Sequence, residues 1–245
     1  MERENIPTVY IYEYIRTRGY EPLHFEEHYR HLAELSHKFQ IFPIEEYLPR
    51  EVLRQHIVER LKREGYSPTA TNALCVKIPP FGKEPEIEVE EIFYNDFALR
   101  AVHPQGHILY VNGEFITHNT SARMALIDFE RTISQDADDG VAIWVNDKKE
   151  VIAIDGADVV AVFDDKIIFS SHSNSIECEM VYERVAATRR DVLRGSIYEA
   201  DLTRAKEVLG IDYRGIVTLE SFDMVSYTDI TAEKIASIVN DTEVL

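Results

Sequence analysis

The chain has 245 residues, of which 45% are hydrophobic and 29% charged, an ordinary composition for a globular protein with one large or two modest domains. Its 44 acidic residues outnumber its 26 Lys plus Arg residues and give a formal net charge of −18. This charge opposes binding to nucleic acid or to an anionic membrane surface, because both require a basic face.

Three further features argue against export and membrane insertion. Residues 1–10 lack the basic start and apolar core of a secretory signal. No apolar run approaches the roughly 20 residues of a membrane helix. Cys75 and Cys178 stand in unlike contexts, as reduced thiols do, and do not form the pattern of a disulfide framework or a zinc site. We therefore expect a cytoplasmic protein.

The first part of the chain alternates between strand and helix patterns. Runs rich in β-branched and aromatic residues predict strands, and apolar residues three and four positions apart predict helices. The predicted strands are Val9 to Arg16, Glu21 to His24, Ala73 to Ile78, Glu86 to Tyr94 and Ala98 to Val102. The predicted helices are Phe25 to Phe39 and the segment from Pro49 to Gly65. His103-Pro104-Gln105-Gly106 has the composition of a linker, so we predict domains at 1–105 and 106–245.

The second part begins with a predicted helix, Thr120 to Ile133. Short apolar strands punctuated by the turns Lys148-Lys149 and Asp164-Asp165 then predict a β-meander. These strands are Val141 to Val145, Val151 to Ile154, Val159 to Phe163 and Ile167 to Phe169. The remaining predictions are helices at Ile176 to Ala187 and Leu202 to Leu209, a strand at Ile216 to Leu219, and a helix at Ala232 to Val239 capped by Thr231. The predicted fold class is α+β in both domains.

A recognisable series of residues opens the chain. Tyr12-Glu13-Tyr14-Ile15-Arg16 is followed by Pro22-Leu23 and then by Glu26-Glu27-His28 and Leu32. The series resembles the N-terminal signature of class IV (fold type IV) aminotransferases, which include branched-chain and D-amino-acid aminotransferases and aminodeoxychorismate lyase. Later segments resemble further parts of that family in the same order: Val141 to Val151, Gly156 to Phe169, Arg214 to Val217, and Asp229-Ile230-Thr231.

The resemblance implies an enzyme that uses pyridoxal phosphate (PLP), assembles as a homodimer and binds a small molecule in a cleft between its domains. It also implies that Tyr12, Arg214 and Gly215 contribute to substrate binding. PLP chemistry needs a lysine for the Schiff base, a carboxylate at the pyridine nitrogen, and an arginine with helix-start amides at the phosphate. Tyr12 has an equally simple structural reading, as an aromatic residue on a half-buried strand.

The groups that PLP chemistry needs are missing from the positions that the resemblance assigns to them. No lysine lies between Lys83 and Lys148, and the Schiff-base position falls near Thr120. The acid at the ring nitrogen falls at Ala153, although a slip in register would bring in Asp155.

The phosphate-binding positions depart from the family pattern as well. The helix arginine falls on His31, and the neighbouring Arg30 lies on a different side of the helix. The phosphate cup matches either Thr188-Arg189 by residue type or Ser175-Ile176-Glu177 by spacing, and Glu177 would repel a phosphate.

These departures predict a divergent class IV protein without the Schiff-base lysine, a pseudoenzyme that does not transaminate. Its cleft would bind a small anionic molecule or a partner protein, with no cofactor. The alternative is an active PLP-dependent aminotransferase or aminodeoxychorismate lyase with an unconventional site. PLP would then bind without a covalent bond, or a lysine would come from elsewhere, with Lys77 as the candidate substitute.

One further motif suggests a metal site. His24-Phe25-Glu26-Glu27-His28 has the H-x-x-E-H spacing of inverted zinc proteases, whose two histidines lie one turn apart on a helix. Pro22 and Leu23 place His24 on a strand, so that geometry fails. We expect no metal here, and we expect His28 to be a buried, hydrogen-bonded side chain that fixes the start of the helix.

Overall fold

The structure of the protein, a computed structural model, describes residues 9–39, 43–80, 82–90, 92, 98–134 and 140–240. Contacts group the chain into two compact units, the first formed by residues 1–92 and 118–125 and the second by residues 93–117 and 126–245. The division near residue 105 stays a prediction about domains, and residue 105 itself lies within the second unit.

The first unit is built on a four-stranded antiparallel sheet with the strand order β2-β1-β3-β4. Its strands are β1 (Ile11–Arg18), β2 (Glu21–Pro22), β3 (Thr71–Ile78) and β4 (Glu86–Glu90). Its helices are α1 (Phe25–Lys38), α2 (Ile44–Tyr47) and α3 (Arg50–Arg63). The structure confirms the predicted helices from Phe25 and from Pro49, since both pack an apolar stripe on the sheet.

Alternation along β1 decides what covers each face of this sheet. Ile11 and Ile15 pack with apolar residues of α1 and α3, including Leu32 and Ile57. Residues of the opposite parity form a separate cluster, in which Tyr12, Cys75 and Met124 are buried together. Glu13 has the parity of the helix-covered face, so a carboxylate occupies a buried position there.

Two details of the first unit differ from the sequence prediction. His24 is not in a strand, because β2 ends at Pro22 and His24 is the N-cap of α1 with a left-handed φ of 49°. The strand predicted from Glu86 to Tyr94 is present as β4 up to Glu90, and residues 91, 93 and 94 lie outside the described residues.

The second unit contains two five-stranded sheets, ordered β14-β13-β5-β6-β7 and β10-β9-β8-β11-β12. Its strands are β5 (Gln105–Tyr110), β6 (Gly140–Val145), β7 (Val151–Ile154), β8 (Asp158–Val162), β9 (Ile167–Ser170), β10 (Val192–Gly195), β11 (Glu207–Asp212), β12 (Gly215–Thr218), β13 (Ser221–Phe222) and β14 (Val225–Ser226). Its helices are α4 (Ser121–Ser134), which begins within the first unit, α5 (Ile176–Thr188), α6 (Glu199–Leu202) and α7 (Ile230–Asn240).

Three apolar clusters hold the second unit together. One joins the two sheets through residues such as Ile143 of β6 and Val208 of β11. In the second cluster, α5 and α7 cover the sheet that contains β11, with Val181 and Ile235 among the buried residues. In the third cluster, Ile127 and its neighbours pack around Trp144, which is fully buried.

The predicted β-meander is wrong, although its four strands are present. The hairpin of β6 and β7 belongs to one sheet, and the hairpin of β8 and β9 belongs to the other. Between them Asp155 and Gly156 adopt positive φ values of 49° and 73°, in a turn closed by a bridge between Ile154 and Ala157. This tight turn carries the chain from one sheet into the next.

The helix predicted from Leu202 to Leu209 is also wrong. Leu202 ends the short helix α6, and residues 207–212 form β11, a strand hydrogen-bonded on both sides to β8 and β12. Leu202, Ala205 and Leu209 have helical spacing, but a short continuous apolar run has the same appearance in a fully buried strand. Every residue of β11 is buried, as in a strand covered on both faces, whereas a helix with this spacing would expose one side.

Besides β11, four strands are absent from the sequence prediction, namely β5, β10, β13 and β14, and one predicted strand does not form. Strand β5 starts at Gln105, inside the predicted linker, and pairs in parallel with β6. Strand β10 pairs in parallel with β9. The predicted strand Ala98 to Val102 is absent, because only Leu99 forms an isolated bridge, to Ile216.

The cap predicted for the last helix needs correction. Thr231 lies inside α7, and the carboxylate of Glu207 accepts hydrogen bonds from the backbone nitrogens of Thr231 and Ala232. No helix among the described residues is long and apolar enough to cross a membrane.

Candidate functional site

A buried polar cluster of the first unit is centred on Glu13. Its carboxylate lies 3.0 Å from His28 Nδ1 through Oε1 and 2.8 Å from His31 Nδ1 through Oε2. Asn119 Nδ2 donates a third hydrogen bond to Oε2, at 3.2 Å. Glu13 and His28 are each only 2% exposed, whereas the His31 side chain is 16% exposed. One carboxylate thus joins β1, α1 and the segment before α4.

The Glu13 cluster favours an ionised carboxylate. Burial alone would raise the pKa of Glu13, but the charge of His31 and the hydrogen bonds from His28 and His31 outweigh it and lower the pKa to about 2. His28 is therefore buried and hydrogen-bonded, as the sequence predicts for it in place of a metal-binding role. His31, the position assigned to a phosphate-binding arginine, has its Nδ1 engaged with Glu13.

The segment assigned to the Schiff-base lysine is part of the sheet. Thr120 forms an antiparallel bridge with Ile11, flanked by hydrogen bonds from Tyr12 N to Asn119 O and from Ser121 N to Tyr10 O, both 2.9 Å. Thr120 is 4% exposed and directly precedes α4. The expected lysine position is therefore occupied by a buried residue with a short hydroxyl side chain.

Tyr12 and Lys77 lie opposite each other across β1 and β3. Tyr12 is 2% exposed, and burial raises the pKa of its hydroxyl well above the ordinary value. Lys77 Nζ lies 2.5 Å from Glu88 Oε2, and although burial acts against it, this hydrogen bond raises the pKa of the ammonium. Paired residues on neighbouring strands share a face of the sheet, so Lys77 lies on the face of Tyr12 and Thr120 lies on the face of Ile11. Because Ile11 and Tyr12 are neighbours on β1, these two faces are opposite, and Lys77 projects away from Thr120.

Every lysine of the sequence lies in the described part of the chain, and none is buried. Lys77 and Lys166 are partly exposed, and the others are exposed. The exposed lysines are Lys38, Lys62, Lys83, Lys148, Lys149, Lys206 and Lys234. Lys148 and Lys149 occupy the turn between β6 and β7, as the sequence predicts.

Arg30 and His24 take no part in the Glu13 cluster. Arg30 is exposed on α1, about 100° around the helix from His31. His24 precedes the first turn of α1, so it and His28 do not share a helical face. Among the described residues, no group of three or more His, Cys, Asp or Glu side chains is arranged to hold a metal ion.

In the second unit, Asp155 and Arg214 form a tight ionic cluster with Asp212. Arg214 Nη1 donates to Asp155 Oδ2 at 2.7 Å, and Nε and Nη2 donate to Asp212 Oδ2 at 2.8 and 2.5 Å. Nη2 also donates to the backbone oxygen of Asp155, at 2.8 Å. Although burial opposes it, the charges of Asp212 and Asp155 raise the pKa of Arg214 well above its ordinary value. Most of the guanidinium donors are therefore engaged within the protein.

The two small residues assigned to the site, Ala153 and Gly215, are both closely packed within the fold. Ala153 is fully buried on β7, opposite Trp144. Gly215 has a φ of 116°, and a Cβ atom there would lie 2.5 Å from the carbonyl oxygen of Ala98. Gly215 is thus required for close backbone packing at the start of β12.

The start of α5 is closed by a carboxylate from β8. Asp158 Oδ2 accepts hydrogen bonds from Asn174 N at 2.9 Å and from both Ser175 N and Ser175 Oγ at 2.7 Å. Asp158 is 3% exposed. This carboxylate therefore places a buried negative charge at the N-cap of α5, where it would repel a phosphate bound at the helix start.

The other proposed phosphate cup lies at the opposite end of α5. Thr188 is the last residue of the helix, and its hydroxyl donates to the carbonyl oxygen of Val185. Arg189 forms a two-point ion pair with Asp191, with Nε to Oδ1 at 3.0 Å and Nη2 to Oδ2 at 2.5 Å. This end of the helix presents carbonyl oxygens, which do not bind phosphate.

Sequence reasoning missed the roles of Glu13, Asn119 and Asp158. Glu13 carried a usable signal, because a charged residue with the same strand parity as Ile11 and Ile15 must be buried with partners. Asn119 and Asp158 carried no such signal, because their partners are distant in the sequence. Asn119 and Glu13 are 106 residues apart, and Asp158 and Ser175 are 17 residues apart.

Comparison with solved structures gives the fold a family context. A putative branched-chain amino acid aminotransferase from Thermotoga maritima superposes with a TM-score of 0.74 at 16% identity, over 96% of this chain and 87% of that one. A putative 4-amino-4-deoxychorismate lyase from Legionella pneumophila superposes with a TM-score of 0.72 at 12% identity, over 95% of this chain and 90% of that one. A hypothetical aminotransferase from Mycobacterium tuberculosis, with α-ketoglutarate and PMP bound, superposes with a TM-score of 0.73 at 16% identity. The match covers 98% of this chain and 90% of that one.

These likenesses confirm the predicted α+β fold and show that it is the fold of class IV aminotransferases and aminodeoxychorismate lyases. At the level of sequence, neither a protein-family model nor a curated protein matches the chain.

Proposed function

We propose that this protein uses the class IV aminotransferase fold without aminotransferase chemistry, and that it binds a small anionic molecule or a partner protein. The observation that carries the proposal is the state of its lysines. None is buried, the least exposed ones are Lys77 and Lys166, and Lys77 is held as an ammonium by Glu88. A Schiff base needs a neutral amine beside the bound aldehyde.

The residues at the other assigned positions support the same proposal, because they do not fit PLP. His31 bonds to Glu13, and a fully buried Ala153 offers no group to the pyridine nitrogen. Asp155 carries a charge, but Arg214 neutralises it. We therefore assign no step of PLP chemistry to these residues.

The phosphate-binding requirement is met no better. Asp158 takes the amides at the start of α5, and a phosphate dianion brought there would be repelled by this buried carboxylate. At the far end of the same helix, Arg189 is paired with Asp191. The neighbours that bind PLP or PMP are similar in fold, and that similarity supports the alternative, an active enzyme with an unconventional lysine.

Reductive trapping decides between the two functions. The purified protein is incubated with PLP, its absorbance is followed for an internal aldimine band, and it is then treated with borohydride and digested for mass spectrometry. We expect no stoichiometric band, and only scattered labelling of exposed lysines. The Lys77→Arg variant serves as the control and should behave as the native protein does. Stoichiometric labelling of a single lysine would reject the proposal and support the active enzyme.

We further propose that the protein is a cytoplasmic homodimer. Both cysteines are free and fully buried, as expected of a protein from a reducing compartment. Light scattering coupled to size-exclusion chromatography should give about twice the 28.3 kDa chain mass, and a monomeric mass would contradict the assembly.

A further inference from the structure

A groove with charges of both signs lies on the first unit, and none of its lining residues belongs to the Glu13 cluster. It has a volume of about 450 Å³ and is open to solvent. Helix α3 forms one wall, and the residues that lead into β4 form the other. The lining residues are His56, Glu59, Arg60 and Arg63 of α3, with Glu84, Pro85 and Ile87 of the opposite wall.

The helical spacing explains how α3 presents four polar side chains to one groove. At 100° per residue, positions 56, 59, 60 and 63 fall within an arc of about 100°. The buried residues of the same helix, Leu53, Ile57 and Leu61, point to the core instead. The polar stripe is thus fixed by the same periodicity that packs α3 on the sheet.

Two of the charged groups already have partners. Arg60 forms an ion pair with Glu64 at 2.7 Å, and Glu59 accepts a hydrogen bond from Gln55 at 2.7 Å. His56, Arg63 and Glu84 differ, because none of their side chains makes a hydrogen bond or an ion pair with another residue in the described part of the chain. A cation and an anion without partners therefore line the same cavity.

The balance of charge selects the class of ligand. Two arginines and two glutamates cancel, so an anion attracted by Arg63 is repelled by the glutamates, and a cation attracted by Glu84 is repelled by the arginines. Only a molecule with both charges satisfies both groups. We propose that the groove binds a zwitterionic small molecule, with its carboxylate at Arg63 and His56 and its ammonium at Glu84.

The apolar part of the wall favours an aliphatic spacer between the two charges. Pro85 and Ile87 lie beside Glu84 and offer a surface for methylene groups. The site is independent of the proposed function, because it contains no residue of the Glu13 cluster or of the α5 helix start. Its failure would leave that proposal untouched, and the reverse also holds.

Calorimetric titration of the full chain, without PLP, tests the inference. The probes are glycine, β-alanine, 4-aminobutyrate and 6-aminohexanoate, compared with hexanoate and hexylammonium, which carry one charge each. We expect at least one zwitterion of the series to bind at least about tenfold more tightly than either single-charge probe, the factor that one charged hydrogen bond contributes. Saturable binding by no member of the series, or equal binding of hexanoate or hexylammonium, would overturn the inference.

Single substitutions assign the binding to the groove. Arg63→Gln and Glu84→Gln should each weaken the best zwitterion about tenfold, since each removes one charged partner. Both side chains are exposed, so neither change should affect folding. Lys62→Gln and Glu34→Gln remove the same charges from exposed positions outside the groove and should leave affinity within twofold of the native value. Binding that survives both groove substitutions, or falls equally in the controls, would place the ligand elsewhere and overturn the assignment.

Discussion

The carboxylate oxygen Oδ2 of Asp158 lies 2.7 Å from both the backbone nitrogen and the hydroxyl oxygen of Ser175. This contact connects the first residue of β8 to the N-cap of α5, and Ser175 Oγ in turn accepts a hydrogen bond from Cys178 N. A side chain from a neighbouring strand thus completes the cap of the helix. Two consequences can be measured.

Asp158→Ala should lower the free energy of unfolding by about 2–4 kcal/mol, because three donors at the helix start lose a buried partner. Urea denaturation followed by circular dichroism measures the change. Asp164→Ala, in an exposed turn where the side chain is 83% exposed, is the matched control and should cost less than about 0.5 kcal/mol.

The same variant tests whether Asp158 takes the place of an external anion. Inorganic phosphate should raise the melting temperature of Asp158→Ala more than that of the native protein, because the helix-start amides are then available. Chloride at equal ionic strength controls for screening. Equal shifts in the two proteins would show that the carboxylate is not a substitute for an anion.

Glu13 should make stability depend on acid pH. Its pKa is lowered from 4.5 to about 2 on folding, so it stabilises the folded state above pH 4.5, and this stability is lost as the pH falls from 4.5 towards 2. The shift corresponds to about 3 kcal/mol. At pH 7 we expect the free energy of unfolding of Glu13→Gln to be lower than that of the native protein by a similar amount. Near pH 2 the two free energies of unfolding should approach each other. The exposed Glu34→Gln should show no such convergence.

Lys77 should be less reactive than an exposed lysine. Its raised pKa keeps the amine protonated to higher pH, so competitive acetylation should begin at higher pH than at Lys234 on α7. Glu88→Gln removes the partner and should bring the reactivity of Lys77 closer to that of Lys234. Quantitative mass spectrometry of labelled peptides gives both profiles. Faster labelling of Lys77 than of Lys234 in the native protein would contradict this prediction.

Gly215→Ala should destabilise the protein by about 1–3 kcal/mol, because the residue has a positive φ and an added Cβ would press on the carbonyl of Ala98. Gly195→Ala is the control, since that glycine has no positive φ and its Cβ would meet only Ile168 at 3.8 Å. Thermal unfolding of the two variants makes the comparison. Equal melting temperatures would mean that the β11–β12 turn can adjust without cost.

The sequence predicted elements well where one short-range pattern was sufficient. The apolar stripe of α1 and the flanking turns of β7 placed both within one residue of their observed ends. The failures fell where long-range pairing decides. Leu209 has helical spacing with Leu202, yet the strands on both sides of it make residues 207–212 a strand. The same holds for the turn at Asp155 and Gly156, whose positive φ values split the meander between two sheets.

The candidate site was predictable only in part. The resemblance drawn from the sequence predicts that Thr120, Ala153 and His31 stand where the family would keep reactive groups. It could not reveal that His31 and Asn119 share the carboxylate of Glu13, because these residues come from three separate segments. The assigned site residues stay predictions until labelling tests them.

The amides in the first turn of a helix have no acceptors within the helix. In α7 the first-turn amides of Thr231 and Ala232 donate to Glu207, and at α5 Asp158 binds the N-cap residue Ser175. Both carboxylates are nearly inaccessible to water, and they lie on the adjacent strands β11 and β8. The starts of both helices are therefore anchored to one sheet through buried carboxylates, and neither can separate from that sheet without leaving a buried carboxylate short of hydrogen-bond partners.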